Sequence, residues 1–353
     1  MGRRIGVVGL GVQGMHLARW AERLGFEVVV GCDIRETGNE PGEADAGTAL
    51  PRYTRDWTDL LGMALDGVIL ADDFDTHAPR AIAFLDAGVH VLSETAACTG
   101  EDEGRRLVAA ADRSSATYSF AENYVALPHV RTIADAVAAD EVGDVELIEA
   151  EYLHGLAPEA LRSLLGASGH WRNRIPPTAY CTHTLSPVLA ITGARPVTVT
   201  AHGIGPAERA TAVVLVVRLS TGAVAVTRHG FLQGEPDSHW SWVSVRGTRG
   251  LVESRRLPGD DAWSVRLRAE PWASPTGAVR EEVRLPERLV LDGRPVEPGA
   301  AGTVRVLQAF RASIDEGAPP LVPVRTAVDA SLVGVVGARS LAEGGAPVPV
   351  PAL

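Results

Sequence analysis

The sequence predicts an N-terminal α/β domain with a doubly wound parallel sheet, followed by a C-terminal α/β domain built on a large open, mainly antiparallel sheet. Three observations carry this. Short apolar runs alternate with helical patterns through the first third of the chain, as parallel strands joined by crossover helices require. Beyond residue 122 the pattern changes to paired apolar runs separated by polar turns, which reads as hairpins. The 353 residues, 46 % of them apolar, suffice for two buried cores at about 150 residues per domain. The expected boundaries are 1–122 for the first domain, 123–323 for the second, and 324–353 for a C-terminal helix and tail that return to the first.

Residues 5–8 form a short apolar run that reads as a buried strand, and it flows into Gly9-Leu10-Gly11-Val12-Gln13-Gly14. A helical pattern follows through Leu17, Trp20, Ala21 and Leu24 to Gly25. A second strand at 28–30 ends in Gly31-Cys32-Asp33. A G-x-G-x-x-G that follows a strand, opens a helix and has an acid about 20 residues downstream is the dinucleotide-binding fingerprint of a Rossmann domain. Gly9 permits the tight turn, Gly11 admits the pyrophosphate and Gly14 lets helix and strand approach closely. The helix N-terminus, with Val12 and Gln13, offers free N–H groups to that anion. Asp33 accepts from the adenosine ribose, which favours NAD over NADP. Arg35, beyond Ile34, weakens that preference.

The alternation continues with strands at 67–71, 89–94 and 117–121 and helices at 76–87 and 101–113. In such sheets ligands bind beyond the carboxyl ends of the strands. That rule selects Ala71, Asp72, Asp73, His77, Glu94, Thr95, Glu122 and Asn123. In the second domain, 128–138 reads as a helix and 145–152 as a strand. Hairpins follow at 211–219 with 223–229, and at 242–245 with 250–254. Residues 270–301 read as irregular loops and hairpins, and 304–315 and 324–341 as helices. An open antiparallel sheet needs its outer face covered, so a homodimer or homotetramer through this sheet is expected.

Composition narrows the function. The net charge is −11, which disfavours a nucleic-acid or anionic-membrane surface. Cys32, Cys98 and Cys181 are odd in number and widely spaced, which fits a reducing cytoplasmic setting, and the N-terminus enters a strand pattern directly, without the features of a signal peptide. All 33 basic residues are arginine. Arginine does not give up its proton, so proton transfer falls to His, Tyr, Asp, Glu, Cys or water.

The chain resembles the Gfo/Idh/MocA family across essentially its whole length. The matching pieces are the fingerprint from Gly9 to Gly14, DGVILADDFDTHAPRAIAFLDAGVHVLSE at 66–94 and VRTAVDASLVGVVGARSLAEGG at 324–345. The resemblance implies a Rossmann domain plus an α/β sheet domain, NAD(P), and reversible oxidation of sugars or inositols. Two positions depart from it. Glu94-Thr95-Ala96 stands where most members have Glu-Lys-Pro, and Ala179 stands where the motif histidine has an aspartate four residues before it. SETAACT, AENY, EYLHGL and YCTHTLSPV are similar to a branch that includes NAD-dependent α-N-acetylgalactosaminidases. In that branch bound NAD is reduced and reoxidised around an elimination, and a Tyr-x-x-His pair carries the acid/base chemistry. The matching residues are Tyr180 and His183.

Read as chemistry, oxidation of a carbinol needs a base for the hydroxyl proton. His183 suits that role, with Tyr180 as acid or donor and its phenol lowered by Arg172 and Arg174. His154, Trp171, Arg172 and Arg174 are substrate-binding candidates, with His170 beside them: an aromatic platform with directed polar groups suits a sugar. Asn123 is expected on the nicotinamide side. A metal site from Glu149, Glu151, His154 and His183 has no diagnostic spacing, and none is expected. Two functions follow: an NAD-dependent oxidoreductase of sugar, cyclitol or glycoside hydroxyls, or a redox-cycling glycosidase or lyase with tightly bound NAD.

Overall fold

The computed structural model describes residues 2–35, 51–165, 171–205, 210–234, 240–256, 260 and 262–353. The chain divides into two compact units, one of residues 1–122, 303–328 and 353, the other of 123–302 and 329–352. Residues 303–323 belong to the first unit because Val306, Leu307 and Phe310 are buried in its core. Of the C-terminal segment, 329–352 goes to the second unit, where Gly334 and Gly337 lie against Thr178.

The first unit runs β1 (Arg3–Val8), α1 (Val12–Arg23), β2 (Phe26–Cys32), β3 (Tyr53–Thr54), β4 (Gly67–Leu70), α2 (His77–Asp86), β5 (His90–Ser93), α3 (Glu101–Arg113) and β6 (Tyr118–Phe120). Its six strands are parallel in the order β3-β2-β1-β4-β5-β6. These strands read as continuous apolar runs because both faces of a parallel sheet are covered; every residue of β4 is buried. Ile5, Val7, Leu17, Ala21, Val28, Ile69 and Phe310 form one core. The strand order reverses between β1 and β4, and ligand sites in such sheets lie at that switch point. Two loops meet there: Gly9–Gly14 after β1 and the segment after Leu70.

The second unit runs α4 (Pro128–Ala138), β7 (Val145–Gly155), α5 (Pro158–Leu165), α6 (Thr182–Thr192), β8 (Pro196–Ile204), β9 (Ala212–Leu219), β10 (Val224–Leu232), β11 (Val243–Gly247), β12 (Gly250–Arg255), β13 (Ser264–Ala269), β14 (Arg280–Arg284), β15 (Val290–Leu291) and β16 (Arg294–Pro295). The helices α7 (Ala301–Glu316) and α8 (Val324–Ala342) and the short β17 (Val348–Pro349) close the chain. A nine-stranded sheet has the order β14-β13-β12-β11-β7-β10-β9-β8-β17, antiparallel except where β7 meets β10. The expected irregular stretch 270–301 contributes β14 to this sheet as an edge strand and holds the β15–β16 hairpin.

Period-2 alternation gives this sheet two unlike faces. One buries Ile148, Ala150, Val213, Leu215, Ala225, Val245, Val252 and Leu267. The other carries cross-strand ion pairs: Arg228 with Glu149 and Glu151, Arg246 with Glu149, and Arg266 with Glu253 and Glu281. Among the described residues no helix is long and apolar enough to cross a membrane.

Candidate functional site

The first unit builds a dinucleotide cradle out of backbone. Gly9 has φ +91°, and a Cβ there would collide with the backbone of Ala71 and Asp72. A Cβ on Gly14 would overlap the carbonyl oxygen of Gly9. Over Gly11 the space is open: the nearest atom to an added Cβ is Arg35 Nη2, 3.7 Å away. Gly11 caps α1, no side chain caps the helix, and its first turn holds no acid, so the first N–H groups stay available to an anion. Val12 and Ile34 stand 63 % and 71 % exposed beside this loop, an unusual placement for apolar side chains that a flat aromatic ligand would cover. These features fit a dinucleotide with its pyrophosphate over Gly11.

Asp33 is buried at the end of β2. Leu10 N–H donates to its Oδ2 at 2.8 Å and Arg35 N–H to its Oδ1 at 2.9 Å. The Arg35 side chain adds Nε to Oδ1 at 3.1 Å and Nη2 to Oδ2 at 3.0 Å. Burial works to raise this carboxyl, but the bonds from Arg35 and Leu10 outweigh it and hold the group below the ordinary carboxylate range. Gln13 donates to Glu94 at 2.8 Å, joining the glycine loop to the loop after β5.

Two expected cofactor contacts change character. Asp72 turns to its own helix, accepting from Thr76 at 2.7 Å and pairing with Arg80. His77 is fully buried against the backbone of Glu94 and Ala96, 3.5 Å from Asp72. Burial pushes its pKa down to about 4. A neutral, enclosed imidazole supports the 94–96 loop from behind and does not line the cradle. Thr95 is buried within that loop, and Glu94 is half-buried.

The second unit holds a cluster of rings. Alternation on β7 sends Tyr152 and His154 to the helix-covered face, and β10 places His229 beside Tyr152 and Phe231 beside His154. A 3-10 turn (Pro177–Cys181) carries Tyr180, and the first turn of α6 carries His183. Their ring centroids lie 6.1 Å apart, so the three-residue spacing puts both on one side. Tyr152 sits 4.4 Å from His183 and stacks on Tyr180 at 6.3 Å. Tyr124, at 4.9 Å from His183, and Trp240, stacked on His154 at 6.3 Å, complete the wall.

Arg172 donates from Nε to the Tyr180 hydroxyl at 3.0 Å and lies 4.4 Å over the Trp171 ring. Burial raises the Tyr180 phenol above its ordinary value despite this cation, so the lowering expected from Arg172 and Arg174 does not prevail. Arg174 is exposed, tied by its N–H to the Trp171 carbonyl. Burial, helped by His183, pushes His154 down to about 4. His229, buried beneath Pro177 and Thr178, is pushed to about 3 and props the turn that carries Tyr180. His170 lies outside the described residues. Asn123 opens a 3-10 turn (Asn123–Ala126) in this unit, two residues after Ala121.

Glu149 and Glu151 project from β7 away from His154 and are taken by Arg228 and Arg246, so these residues do not converge with His183. Among the described residues no group of three or more His, Cys, Asp or Glu could hold a metal ion. Sequence reading missed Tyr124, Tyr152, Phe231 and Trp240. Tyr152 was accessible, since it stands two residues from His154 on one strand face. Phe231 arrives by strand pairing and Trp240 lies ahead of β11, outside the strands, so neither has a local signal.

Comparisons with known proteins agree with this geometry. Residues 3–122 match the profile of an oxidoreductase family with an NAD-binding Rossmann fold, Gfo/Idh/MocA. An α-N-acetylgalactosaminidase of Bacteroides fragilis is 29 % identical over 202 residues, covering 53 % of this chain and 48 % of the relative. A glycosyl hydrolase family 109 protein of Shewanella putrefaciens is 26 % identical over 198 residues, covering 52 % of this chain and 43 % of the relative. The chain thus spans about half the length of the curated relatives it matches. In fold, it is similar to a levoglucosan dehydrogenase solved with NADH and levoglucosan, with a TM-score of 0.82, 16 % identity and 100 % of both chains covered. A myo-inositol 2-dehydrogenase from Lactobacillus plantarum gives a TM-score of 0.74 at 14 % identity, covering 99 % of this chain and 100 % of its own.

Proposed function

We propose, from the match of residues 3–122 to the Gfo/Idh/MocA oxidoreductase family, that this chain is an NAD-dependent oxidoreductase acting on a hydroxyl or ketone of a sugar, cyclitol or glycoside. The observation that carries this is the pairing of Tyr180 with His183 inside a wall of rings, in a chain whose other unit has a complete dinucleotide cradle. Bound NAD supplies the acceptor for the hydride that leaves the carbinol carbon. The residues supply the rest.

His183 takes the hydroxyl proton as the carbonyl forms and returns it in the reverse direction. Tyr180, kept protonated by burial, donates a hydrogen bond to the substrate oxygen and is itself oriented by Arg172. His154, neutral at any pH well above about 4, orients a neighbouring hydroxyl. Tyr152, Trp171 and Trp240 offer ring faces to the apolar side of a sugar. Gly9, Gly11, Val12, Gln13, Gly14, Asp33, Ile34 and Arg35 hold the dinucleotide, with Ala71, Glu94 and Thr95 at its nicotinamide end and Asn123 as a further cofactor contact. In this reading the subunits pair through the ion-paired sheet face, and the protein works in the cytoplasm.

The resemblance to α-N-acetylgalactosaminidases, together with Thr95 and Ala96 in place of Lys-Pro, favours a second reading: a glycosidase or lyase that keeps its NAD and shows no net redox change. Denaturing extraction of purified protein separates the two. NAD retained at about one per chain after dialysis supports redox cycling, whereas empty protein that reduces added NAD with a sugar or cyclitol supports the dehydrogenase. Protein that binds neither dinucleotide defeats both.

A further inference from the structure

The rings of the second unit extend past the reacting groups. Tyr124, Tyr152 and Tyr180 stand 4.9, 4.4 and 6.1 Å from His183. That gathers three of the five tyrosines of a chain with only 5 % aromatic residues. One ring further out, His154 meets Tyr152 edge-on at 4.6 Å and lies 6.3 Å from Trp240 and 6.0 Å from Phe231. The planes of His154 and Trp240 differ by only 13°, so the two rings form one flat shelf. Phe231 bounds it, tilted 31° to His154 and edge-on to Tyr180. Each of these three outer rings is half-buried, so packing leaves part of each open.

Such a shelf is a poor seat for a second sugar. Every hydroxyl taken out of water needs a replacement partner. Phe231 offers none and Trp240 one donor. His154, held neutral by burial with its pKa pushed down to about 4, adds one donor and one acceptor. A planar group with few hydroxyls loses no such bonds, and its faces and edges match rings set parallel and edge-on. We infer that the substrate is an aryl glycoside, with its sugar at Tyr180 and His183 and its aromatic aglycone on the shelf of His154, Phe231 and Trp240. The inference rests on the oxidoreductase reading proposed above and names the substrate class for that site.

Calorimetric titration of NAD-loaded, full-length protein with 2-naphthol and with its saturated counterpart, decahydro-2-naphthol, separates a shelf for aromatic rings from a merely apolar surface. Wild type is expected to bind 2-naphthol about tenfold more tightly, the worth of two or three ring–ring contacts. Trp240→Leu and Phe231→Leu keep apolar bulk, and each should lower that preference severalfold. Equal affinities for the two compounds in wild type, or a preference untouched in both variants, overturns the inference. A parallel assay for reduced nicotinamide with sugars and aryl glycosides tells this apart from failure of the reading beneath it. Sugars that reduce the bound NAD in a protein without any preference for 2-naphthol remove the aglycone shelf alone. Ring binding with no reduced nicotinamide from any hydroxyl compound removes the oxidoreductase reading and the aglycone assignment with it.

Discussion

The two units solve the problem of placing functional groups in opposite ways. In the first, the cradle is backbone: one helix N-terminus, a glycine at φ +91° and two glycines whose missing Cβ atoms make room. In the second, the site is side chains, brought from β7, β10, a 3-10 turn and α6. A backbone site is contiguous in sequence and intolerant of any added atom. A side-chain site is scattered and tolerates shape changes, but depends on a few titratable groups. Substitutions in the two should therefore fail differently.

The largest effect is expected at His183. Alanine there removes the proposed base and should lower turnover by about 10²- to 10⁴-fold, with dinucleotide affinity unchanged in titration. Tyr180→Phe should cost less, chiefly in turnover, because the hydroxyl oxygen that meets Arg172 is lost while the ring stacking stays. A fall in NAD affinity of similar size in either variant would break the separation of roles.

Gly14→Ala tests the other side. Its Cβ would overlap the Gly9 carbonyl, so a loss of about 1–3 kcal/mol in stability is expected, together with NAD affinity, read by denaturant melts and titration. An alanine that leaves both unchanged would show that the cradle is not close-packed.

A smaller effect concerns pH. His77 in the first unit, and His129 and His229 in the second, are held neutral by burial, with pKa values pushed down to about 4, about 4 and about 3 from an ordinary 6.5. Their unfolded forms bind protons first, so stability rises with pH through this window. The contribution is whole above 6.5, declines as pH falls, and is gone below the folded values. Each histidine should steepen the loss by up to about 1.4 kcal/mol per pH unit. His77→Gln should flatten that slope in melts from about pH 7 to about pH 4; an unchanged slope would show that His77 is already protonated in the fold. The smallest effect is expected at Tyr152→Phe, which keeps the ring between Tyr180 and His183 and should change KM more than kcat.

The same contrast explains what could be read from the sequence. The parallel sheet was legible because Ile5 to Val8 and Gly67 to Leu70 are continuous apolar runs, and the cradle because Gly9, Gly11, Gly14 and Asp33 stand at fixed spacing on one stretch of chain. The proximity of the Tyr180 and His183 rings followed likewise from their local spacing. Phe231 and Trp240 were not legible: Phe231 reaches His154 through the pairing of β10 with β7, and Trp240 from the segment ahead of β11, both far from it in sequence. The burial that raises the Tyr180 phenol over the pull of Arg172 was also out of reach, since desolvation is a property of the packed site. Edge strand β14 was hidden in a charged stretch, Arg280-Glu281-Glu282-Val283-Arg284, in which Glu281 pairs across the ladder with Arg266.

The most direct measurement is the appearance of reduced nicotinamide when NAD-loaded protein meets a panel of sugars, cyclitols and glycosides under single-turnover conditions. Reduction by at least one class of hydroxyl compound, net or transient, that disappears in His183→Ala is the predicted result. Protein that binds NAD and forms no reduced nicotinamide with any of them, or a His183→Ala variant that reduces it at the wild-type rate, would contradict the account.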